Sequence, residues 1–458
     1  MSEKANNKKR NYAIAKVVVA LCVVLCIVLT VFEMGFTYRA IKALEVDGTE
    51  YSVAEYNWLY TNGVMEVYNS YYQTYGSLAA YFFNPQNPLD EQEYAEGMTW
   101  DDYIKEYART SAITMTSLYN EAVANGYELP EEYYAHIDAE WEALKHTAEE
   151  SGYNVNTYVE LSYGRGVNEK VFRDMYELYY TAFVYAKGVR DGEEVSDADI
   201  DAYYEEHKDE FDSVNYKYYF ADGSAAEGED AAAAMDEAQA EANAVLNGAT
   251  EVEFTEAKYS VIGSINSLYS EWLFDEARVS GDKEIFESET GYYVVEFVEK
   301  NDLHYNTVNV RHILVAPEDT SNETAWQVAL SAAEEYKAEF EELGGTEEAF
   351  AEVAMEHSVD EGSYANGGLY ENIYKGQMVE EFEAWCFDSA RKPGDVEIIK
   401  TSYGYHVMYF SGEAETFYTY AGTEGVRDAR YSDYIGALTE EKVANELMGI
   451  KFGGKHYN

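Results

Sequence analysis

The sequence of 458 residues contains little cysteine. Of its three cysteines, Cys22 and Cys26 fall inside an apolar run near the amino terminus, so Cys386 stands by itself in the rest of the chain. A single cysteine excludes a disulfide framework and a metal cluster with the usual cysteine spacing. We therefore expect Cys386 to be a small, buried apolar side chain.

Basic side chains are also few. The chain has 32 lysines and arginines against 87 aspartates and glutamates, which gives a formal net charge of −55. A surface this acidic repels the phosphates of nucleic acids, so nucleic acid is excluded as a partner. The motifs GxSxG, HExxH and GxxxxGK[ST] are absent as well, which excludes the enzyme classes that depend on them.

Only one long apolar run occurs, from Val17 to Phe36. Its length is close to the roughly 20 residues that a membrane-spanning helix needs. Five basic residues and one acidic residue precede it within residues 1–16. The positive-inside rule then predicts a cytoplasmic tail at 1–12, a transmembrane helix at 13–36 and an extracellular remainder. A cleaved signal peptide is the alternative, although no small-x-small cleavage site follows the run.

The chain contains an internal repeat. The phrase GYYVVEF at 291–297 returns as GYHVMYF at 404–410, and with this offset of 113 eleven of 22 positions are identical between 272–293 and 385–406. Two further matches are 214–220 with 308–314, at an offset of 94, and 259–261 with 357–359, at an offset of 98. These offsets predict two units of one fold, the second with 15 extra, glycine-rich residues between Val359 and Trp385.

Hydrophobic periodicity predicts an α+β domain for each copy and a largely helical region before them. In the second copy the predicted strands are 308–315, 395–401 and 405–411, and the predicted helices are 323–342, 347–356 and 379–387. Capping boxes at Thr99 and Ser196 each open a helix in the upstream region. The predicted domains are a helical domain at 45–210 joined by a C-terminal helix at 413–458, a first copy at 211–303 and a second copy at 304–412.

The histidines separate the two copies. None occurs in 211–303, whereas His312, His357 and His406 lie in the second copy. By alignment, the first copy has Tyr218, Tyr293 and Ile262 where the second has His312, His406 and Asp360. A single histidine on a strand is more often structural than catalytic. The joint loss of three polar residues and a loop nevertheless indicates a site that only the second copy keeps.

Four motifs of the second copy, at 310–315, 357–360, 366–387 and 401–410, resemble the parvulin family of peptidyl-prolyl isomerases in order and spacing. The segment 46–60 and the capped helix at 99–124 are similar to the helical part of the PrsA and SurA group of exported foldases. The resemblance implies a helical chaperone-like domain, a degenerate and inactive parvulin-like domain, and an intact catalytic parvulin domain, in that order.

The resemblance also implies the site. Its catalytic residues are His312, Asp360 and His406, and its substrate-binding residues are Tyr370, Met378, Phe382 and Thr401. The two histidines face each other across adjacent strands, and Met378 and Phe382 line an apolar cup for the proline ring. Tyr370 departs from the family pattern because it replaces a leucine of the cup, and Glu371 replaces a glycine. The resemblance implies neither a cofactor nor a metal.

The sequence therefore favours a membrane-anchored foldase outside the cell, which holds unfolded exported proteins and isomerises their X-Pro bonds. The alternative is a non-catalytic holdase chaperone in which both parvulin units are scaffolds. A tyrosine-rich surface adhesin is a more remote alternative.

The apolar run and its basic flank predict which side of the membrane each segment faces. Protease added to intact cells should digest the chain from about residue 40 onward while sparing the span, because only the outer part is accessible. Immunoblotting against a tag before residue 12 reports the protected fragment, and a cytoplasmic marker controls for lysis. Protection of the bulk until cells are broken would contradict this topology.

Overall fold

The computed structural model describes residues 35–226 and 230–454. The predicted tail at 1–12 and all but the last two residues of the predicted transmembrane helix at 13–36 lie outside these residues. Within the described ranges, no helix is both long and apolar enough to cross a membrane. The chain divides into two compact units, one formed by residues up to Glu193 with those from Asp428 onward, and one formed by Glu194–Arg427.

The secondary structure is mixed throughout. The helices are α1 Phe36–Ala40, α2 Val53–Tyr75, α3 Ala79–Phe82, α4 Trp100–Ala124, α5 Glu131–Glu150, α6 Val155–Tyr163, α7 Glu169–Asp191, α8 Asp197–Glu206, α9 Lys208–Phe211, α10 Ala231–Leu246, α11 Ser270–Phe274, α12 Glu323–Glu342, α13 Glu347–His357, α14 Glu380–Cys386 and α15 Phe417–Thr439. The strands are β1 Lys42–Val46, β2 Thr49–Ser52, β3 Glu93–Ala95, β4 Met98–Thr99, β5 Ser213–Asp222, β6 Thr255–Val261, β7 Lys283–Ser288, β8 Gly291–Lys300, β9 Asn306–Val315, β10 Leu369–Ile373, β11 Val396–Lys400, β12 Tyr405–Thr416 and β13 Ala444–Glu446.

The first unit is helical around a small antiparallel sheet of order β13-β1-β2. This sheet was not predicted from the sequence. Asp47 and Gly48 connect β1 to β2 with φ angles of 52° and 83°, which is the left-handed conformation that a two-residue hairpin turn requires. An Asp-Gly pair between short apolar stretches is thus the signal that identifies the hairpin.

Helix starts in this unit follow side-chain caps. The predicted capping box of Thr99 and Asp102 opens α4, and an equivalent box of Ser52 and Glu55 opens α2. In each box the side chains satisfy amide groups that the first helical turn leaves without partners. The two helices pack with α7 around a core in which several large aromatic side chains are almost fully buried.

Two buried tyrosines of this core have partners for their hydroxyl groups. The Tyr51 hydroxyl lies 2.6 Å from Thr116 Oγ1, and the Tyr60 hydroxyl donates to Asp101 at 2.7 Å. Burial raises the pKa of Tyr51 to about 12, so the ring is neutral at physiological pH. Tyrosine therefore acts here as a large apolar residue with one satisfied polar end.

Two predicted boundaries were wrong. Residues 194–210 belong to the second unit rather than to the helical domain. There Ile200 of α8 packs so closely on Gly422 of α15 that a Cβ on this glycine would lie 2.5 Å from it. The C-terminal helix predicted at 413–458 is shorter, because β12 continues to Thr416 by pairing with β9 and β13 pairs with β1.

Each copy of the repeat folds around a four-stranded antiparallel sheet. The strand orders are β6-β5-β8-β7 and β10-β9-β12-β11, which are equivalent. The registers agree too, since Tyr218 pairs with Val295 in the first sheet and His312 pairs with Met408 in the second. Strand β10 was missed in the sequence because its residues lie in what looked like a glycine-rich loop.

The pairing of the edge strands corrects the alignment of the two copies. Ala257 of β6 pairs with Tyr216, and Tyr370 of β10 pairs with Val310. Strand β6 is thus the counterpart of β10, whereas the sequence alignment placed residues 259–261 over residues 357–359 at the end of α13. The extra residues of the second copy are therefore α13 and the turn after it, not a loop between Val359 and Trp385. It follows that Ile262 is not the counterpart of Asp360, which has none.

Aromatic rings fill the first copy where the second has its histidines. The Tyr218 and Tyr293 rings lie 6.2 Å apart between centroids, and the Tyr269 ring lies 5.5 Å from that of Tyr293. At the offset of 113, Tyr269 corresponds to Phe382. These contacts give the first sheet a continuous aromatic core.

The missing segment predicts that histidines alone cannot restore a site in the first copy. In a full chain carrying His312→Ala, the added pair Tyr218→His and Tyr293→His should leave the prolyl isomerase activity that the resemblance implies at the level of His312→Ala alone. The reason is that the described residues of the first copy include no α13-like helix whose following turn brings a carboxylate to the rings. The single variant is the matched control in a proline-limited refolding assay. Recovery to even a tenth of wild-type activity would show that the first sheet needs only the imidazoles.

Candidate active site

Two buried histidines meet on neighbouring strands in the middle of the second sheet. His312 of β9 is 3% exposed and His406 of β12 is 5% exposed. Their Nδ1 atoms lie 3.0 Å apart, and the rings are nearly parallel, with an angle of 19° between their planes. Strand alternation places both side chains on one face of the sheet, because Met408, the residue opposite His312, lies two positions beyond His406.

A carboxylate stands at the other end of His312. Asp360 lies in the turn after α13, where its carbonyl oxygen accepts hydrogen bonds from the amides of Ser363 and Tyr364. Its Oδ2 atom lies 3.0 Å from His312 Nε2 and accepts from the Tyr370 hydroxyl at 3.0 Å and from the Ser363 hydroxyl. The bond from His312, followed by those from Ser363 and Tyr370, holds the pKa of Asp360 well below its ordinary value despite burial.

The ionised carboxylate determines which ring nitrogens carry protons. A carboxylate only accepts, so His312 donates through Nε2 and a neutral His312 accepts at Nδ1. His406 then donates through Nδ1 and accepts at Nε2, where the Thr401 hydroxyl lies 2.9 Å away. The hydrogen bonds therefore run in one direction. Thr401 donates to His406, His406 donates to His312, and His312 donates to Asp360.

Burial keeps His406 uncharged. It lowers the pKa of His406 to about 3, with a smaller contribution in the same direction from His312 and an opposing one from Asp360. The value is far below the ordinary pKa of 6.5. His406 therefore stays uncharged at physiological pH and offers one donor and one acceptor through its ring nitrogens.

One glycine allows the turn to reach the histidine strand. Gly368 has a φ angle of 73°, and a Cβ there would lie 2.2 Å from the carbonyl oxygen of His312. Its own carbonyl accepts from the His312 amide at 2.8 Å, while its amide donates to the Ser363 carbonyl at 2.8 Å. Any side chain at this position would push the turn, and with it the carboxylate, away from His312.

The predicted substrate-binding residues fall into two groups. Phe382 of α14 is 3% exposed, and its ring stands at 84° to both imidazoles at centroid distances of 5.5 and 5.4 Å. Met378 is half-buried in the same apolar cluster. Thr401 instead bonds to His406, and Tyr370 bonds to Asp360 as described above. The structure thus joins all seven predicted residues in one place but gives two of them polar, internal contacts.

Sequence reasoning missed Ser363. Its side chain is buried, with Oγ 3.1 Å from His312 Nε2 and in contact with Asp360. The available signal was its position three residues after an aspartate, a spacing typical of a tight turn closed by its own side chains. Another histidine of the second copy, His357, lies apart and stacks on Tyr336 with 4.2 Å between centroids.

The site has no activated nucleophile among these residues. The Ser363 hydroxyl donates to a carboxylate, and no base accepts its proton. Burial raises the pKa of the Cys386 thiol to about 12, and Cys386 is buried as expected. The arrangement suits non-covalent chemistry on a ligand that is partly apolar and partly hydrogen-bonding.

Comparison with known proteins agrees with this geometry. Residues 292–413 match the family described as the PPIC-type PPIASE domain. This part of the chain is thus similar to PPIC-type peptidyl-prolyl isomerase domains, and the matched range includes every residue of the site.

The similar proteins are foldases. Foldase protein PrsA 1 of Listeria innocua is 32% identical over 140 residues, and foldase protein PrsA 3 of Bacillus anthracis is 32% identical over 159 residues. The first match covers 31% of this chain and 41% of the relative, and the second covers 33% and 49%. The chain thus spans less than half the length of these relatives. The crystal structure of PrsA from Bacillus subtilis covers 78% of this chain and 91% of that chain at 15% identity with a TM-score of 0.31, a likeness too weak to support an argument.

The directed hydrogen-bond chain predicts a fixed tautomer for each histidine. In ¹⁵N spectra at pH 7, His406 should carry its proton on Nδ1 and His312 on Nε2. Because its pKa is lowered to about 3, His406 should stay neutral on acidification to pH 4. The unfolded chain binds a proton there near pH 6.5, so this group's contribution to the free energy of unfolding falls as the pH drops from about 6.5 towards 3.

The Thr401→Val variant tests the same chain of hydrogen bonds at its Thr401 end. It removes the hydroxyl that donates to His406 Nε2, so the spectra should show a mixture of His406 tautomers. A wild-type His406 that is protonated on Nε2, or that titrates above pH 6, would contradict the assignment.

Proposed function

We propose that the chain is an extracytoplasmic foldase. In this proposal residues 304–412 catalyse cis/trans isomerisation of X-Pro bonds, and the helical domain holds unfolded exported proteins. The observation that carries it is the buried His312–His406 pair held by Asp360 beside an apolar wall, within a segment that matches an isomerase domain. The two similar foldases are consistent with the holding role.

The chemistry requires no covalent step. An X-Pro bond rotates over a barrier of about 18 to 20 kcal/mol because twisting removes the amide resonance. The twisted amide is less polar than the planar one, so a dry surface such as that of Phe382 and Met378 binds it in preference. His312 and His406 supply hydrogen bonding without placing a charge near the rotating bond. Thr401 and Ser363 act as positioning residues, because they hold the two rings and the carboxylate.

The first copy is proposed to be a scaffold. Its sheet has the same strand order, but tyrosines occupy the histidine positions and no segment corresponds to α13 and the Asp360 turn. The aromatic core described above supports an inactive, stable domain.

The location is also part of the proposal. An N-terminal transmembrane helix at 13–36 would anchor the chain in the cell membrane, with residues 1–12 in the cytoplasm and the bulk outside. Support comes from the apolar run, its basic flank and the acidic remainder of the chain. The protease experiment on intact cells tests this part separately.

A non-catalytic holdase remains the second candidate because of one observation. Phe382 is 3% exposed, so a proline ring reaches it only if neighbouring side chains move. If they do not move, both parvulin units serve as scaffolds and binding resides in the helical domain alone.

An isomerase assay on the full chain separates the two candidates. Wild type should accelerate a proline-limited refolding reaction, and His312→Ala and Asp360→Asn should each lower kcat/KM by about tenfold or more, since each loses at least one buried hydrogen bond of the network. His357→Gln is the matched control, because this histidine belongs to the same domain but not to the site. A wild-type chain that suppresses client aggregation without accelerating refolding would establish the holdase instead.

A further inference from the structure

A groove lined by aromatic side chains lies within the first, helical unit. Its volume is about 520 Å³, within the range of roughly 300 to 1,000 Å³ that ligand pockets occupy. Helices α2, α4 and α7 form its walls. Its aromatic lining consists of Trp58, Tyr107, Tyr176, Tyr179, Tyr180 and Phe183.

The rings extend from the floor of the groove to its rim. Trp58 is 4% exposed and makes an edge contact with Tyr176 at 5.5 Å between centroids. Tyr179 is 38% exposed, and its ring lies 4.9 Å from that of Phe183. Met65, which also lines the groove, is 47% exposed. Solvent-exposed apolar side chains at the mouth of an aromatic groove are typical of a binding surface.

The charge at the groove is negative. The Glu66 carboxylate is exposed and lines the groove, and no described lining residue is basic. In the sequence, no lysine, arginine or histidine occurs between Lys42 and Lys105, an interval that includes all of α2. Burial raises the pKa of Tyr107, and the charge of Glu66 raises it further, so the phenol is neutral. Electron-rich ring faces beside an uncompensated carboxylate favour a cation.

The floor of the groove also contains a polar group without a hydrogen-bond partner among the described residues. This group is the buried Trp58 indole N–H. A buried donor left without a partner is unfavourable. A backbone carbonyl brought in by an extended segment is a suitable acceptor once neighbouring side chains move aside, whereas a simple cation accepts no hydrogen bond.

We propose that this groove binds a lysine or arginine side chain of an unfolded polypeptide, with the apolar neighbours of that residue packed on Met65 and Tyr179. The inference rests on the proposed holding function and specifies its partner as cationic, apolar segments. The acidic rim makes anionic lipid and nucleic acid unsuitable occupants.

Calorimetry on the full-length chain tests the proposal with matched peptides. The probe is a twelve-residue peptide without proline, in which a central arginine is flanked by leucines, and its partner has citrulline, which has nearly the same shape without the charge. Wild type should bind the arginine peptide about tenfold more tightly, which corresponds to roughly 1.4 kcal/mol of cation–π and ionic interaction. Added salt should narrow this ratio.

Single substitutions test whether the preference for the arginine peptide arises in this groove. Glu66→Gln should reduce the tenfold ratio to about threefold or less, and Tyr179→Leu should weaken both peptides because it removes ring surface. Glu128→Gln, an exposed carboxylate of the same unit that does not line the groove, is the matched control and should keep the ratio. Equal binding of both peptides by wild type, or an unchanged ratio in Glu66→Gln, would overturn the proposal. Because the peptides lack proline, this result and that of the isomerase assay are independent.

Discussion

The ionised carboxylate of Asp360 is the constraint on which the candidate site depends. It can only accept hydrogen bonds, and this fixes the proton on His312, then the one on His406, and finally the direction of the Thr401 hydroxyl. Without it, two stacked imidazoles each have two possible tautomers, and the 3.0 Å contact between their Nδ1 atoms has no unique donor. One negative charge near the rim thus gives a buried pair of imidazoles a single arrangement.

The backbone around Asp360 is built to keep that carboxylate in place. The turn after α13 closes on itself through the Ser363 and Tyr364 amides, and Gly368 ties its far end to the His312 strand. Tyr370 adds a second hydroxyl donor from the neighbouring strand β10. The departure of this sequence from the family pattern at Tyr370 therefore has a structural role, since the tyrosine ring remains in the apolar cluster while its hydroxyl joins the polar network.

The sequence was sufficient for parts of the fold that depend on local pattern. Helix α12 begins and ends where the periodicity predicted. That the two histidines face each other across adjacent strands was implied by the family resemblance. Features that depend on distant partners were not predictable in the same way. Strand β10 is defined by its pairing with β9. The two copies were misaligned at a three-residue sequence match, because a single sequence does not reveal the register of paired strands. Ser363 was missed because its role exists only where the turn meets His312.

The equivalence of β6 and β10 shows how the two sheets differ by one insert. All four strands and their order are present in both copies, whereas α13 and the turn that carries Asp360 occur only in the second. The framework is complete without the insert, because the edge strand pairs directly with the central strand in either case. The residues that form the sheet and the residues that orient the histidines therefore lie in separate stretches of the chain. A duplicated domain of this type can lose the second stretch and still keep its fold.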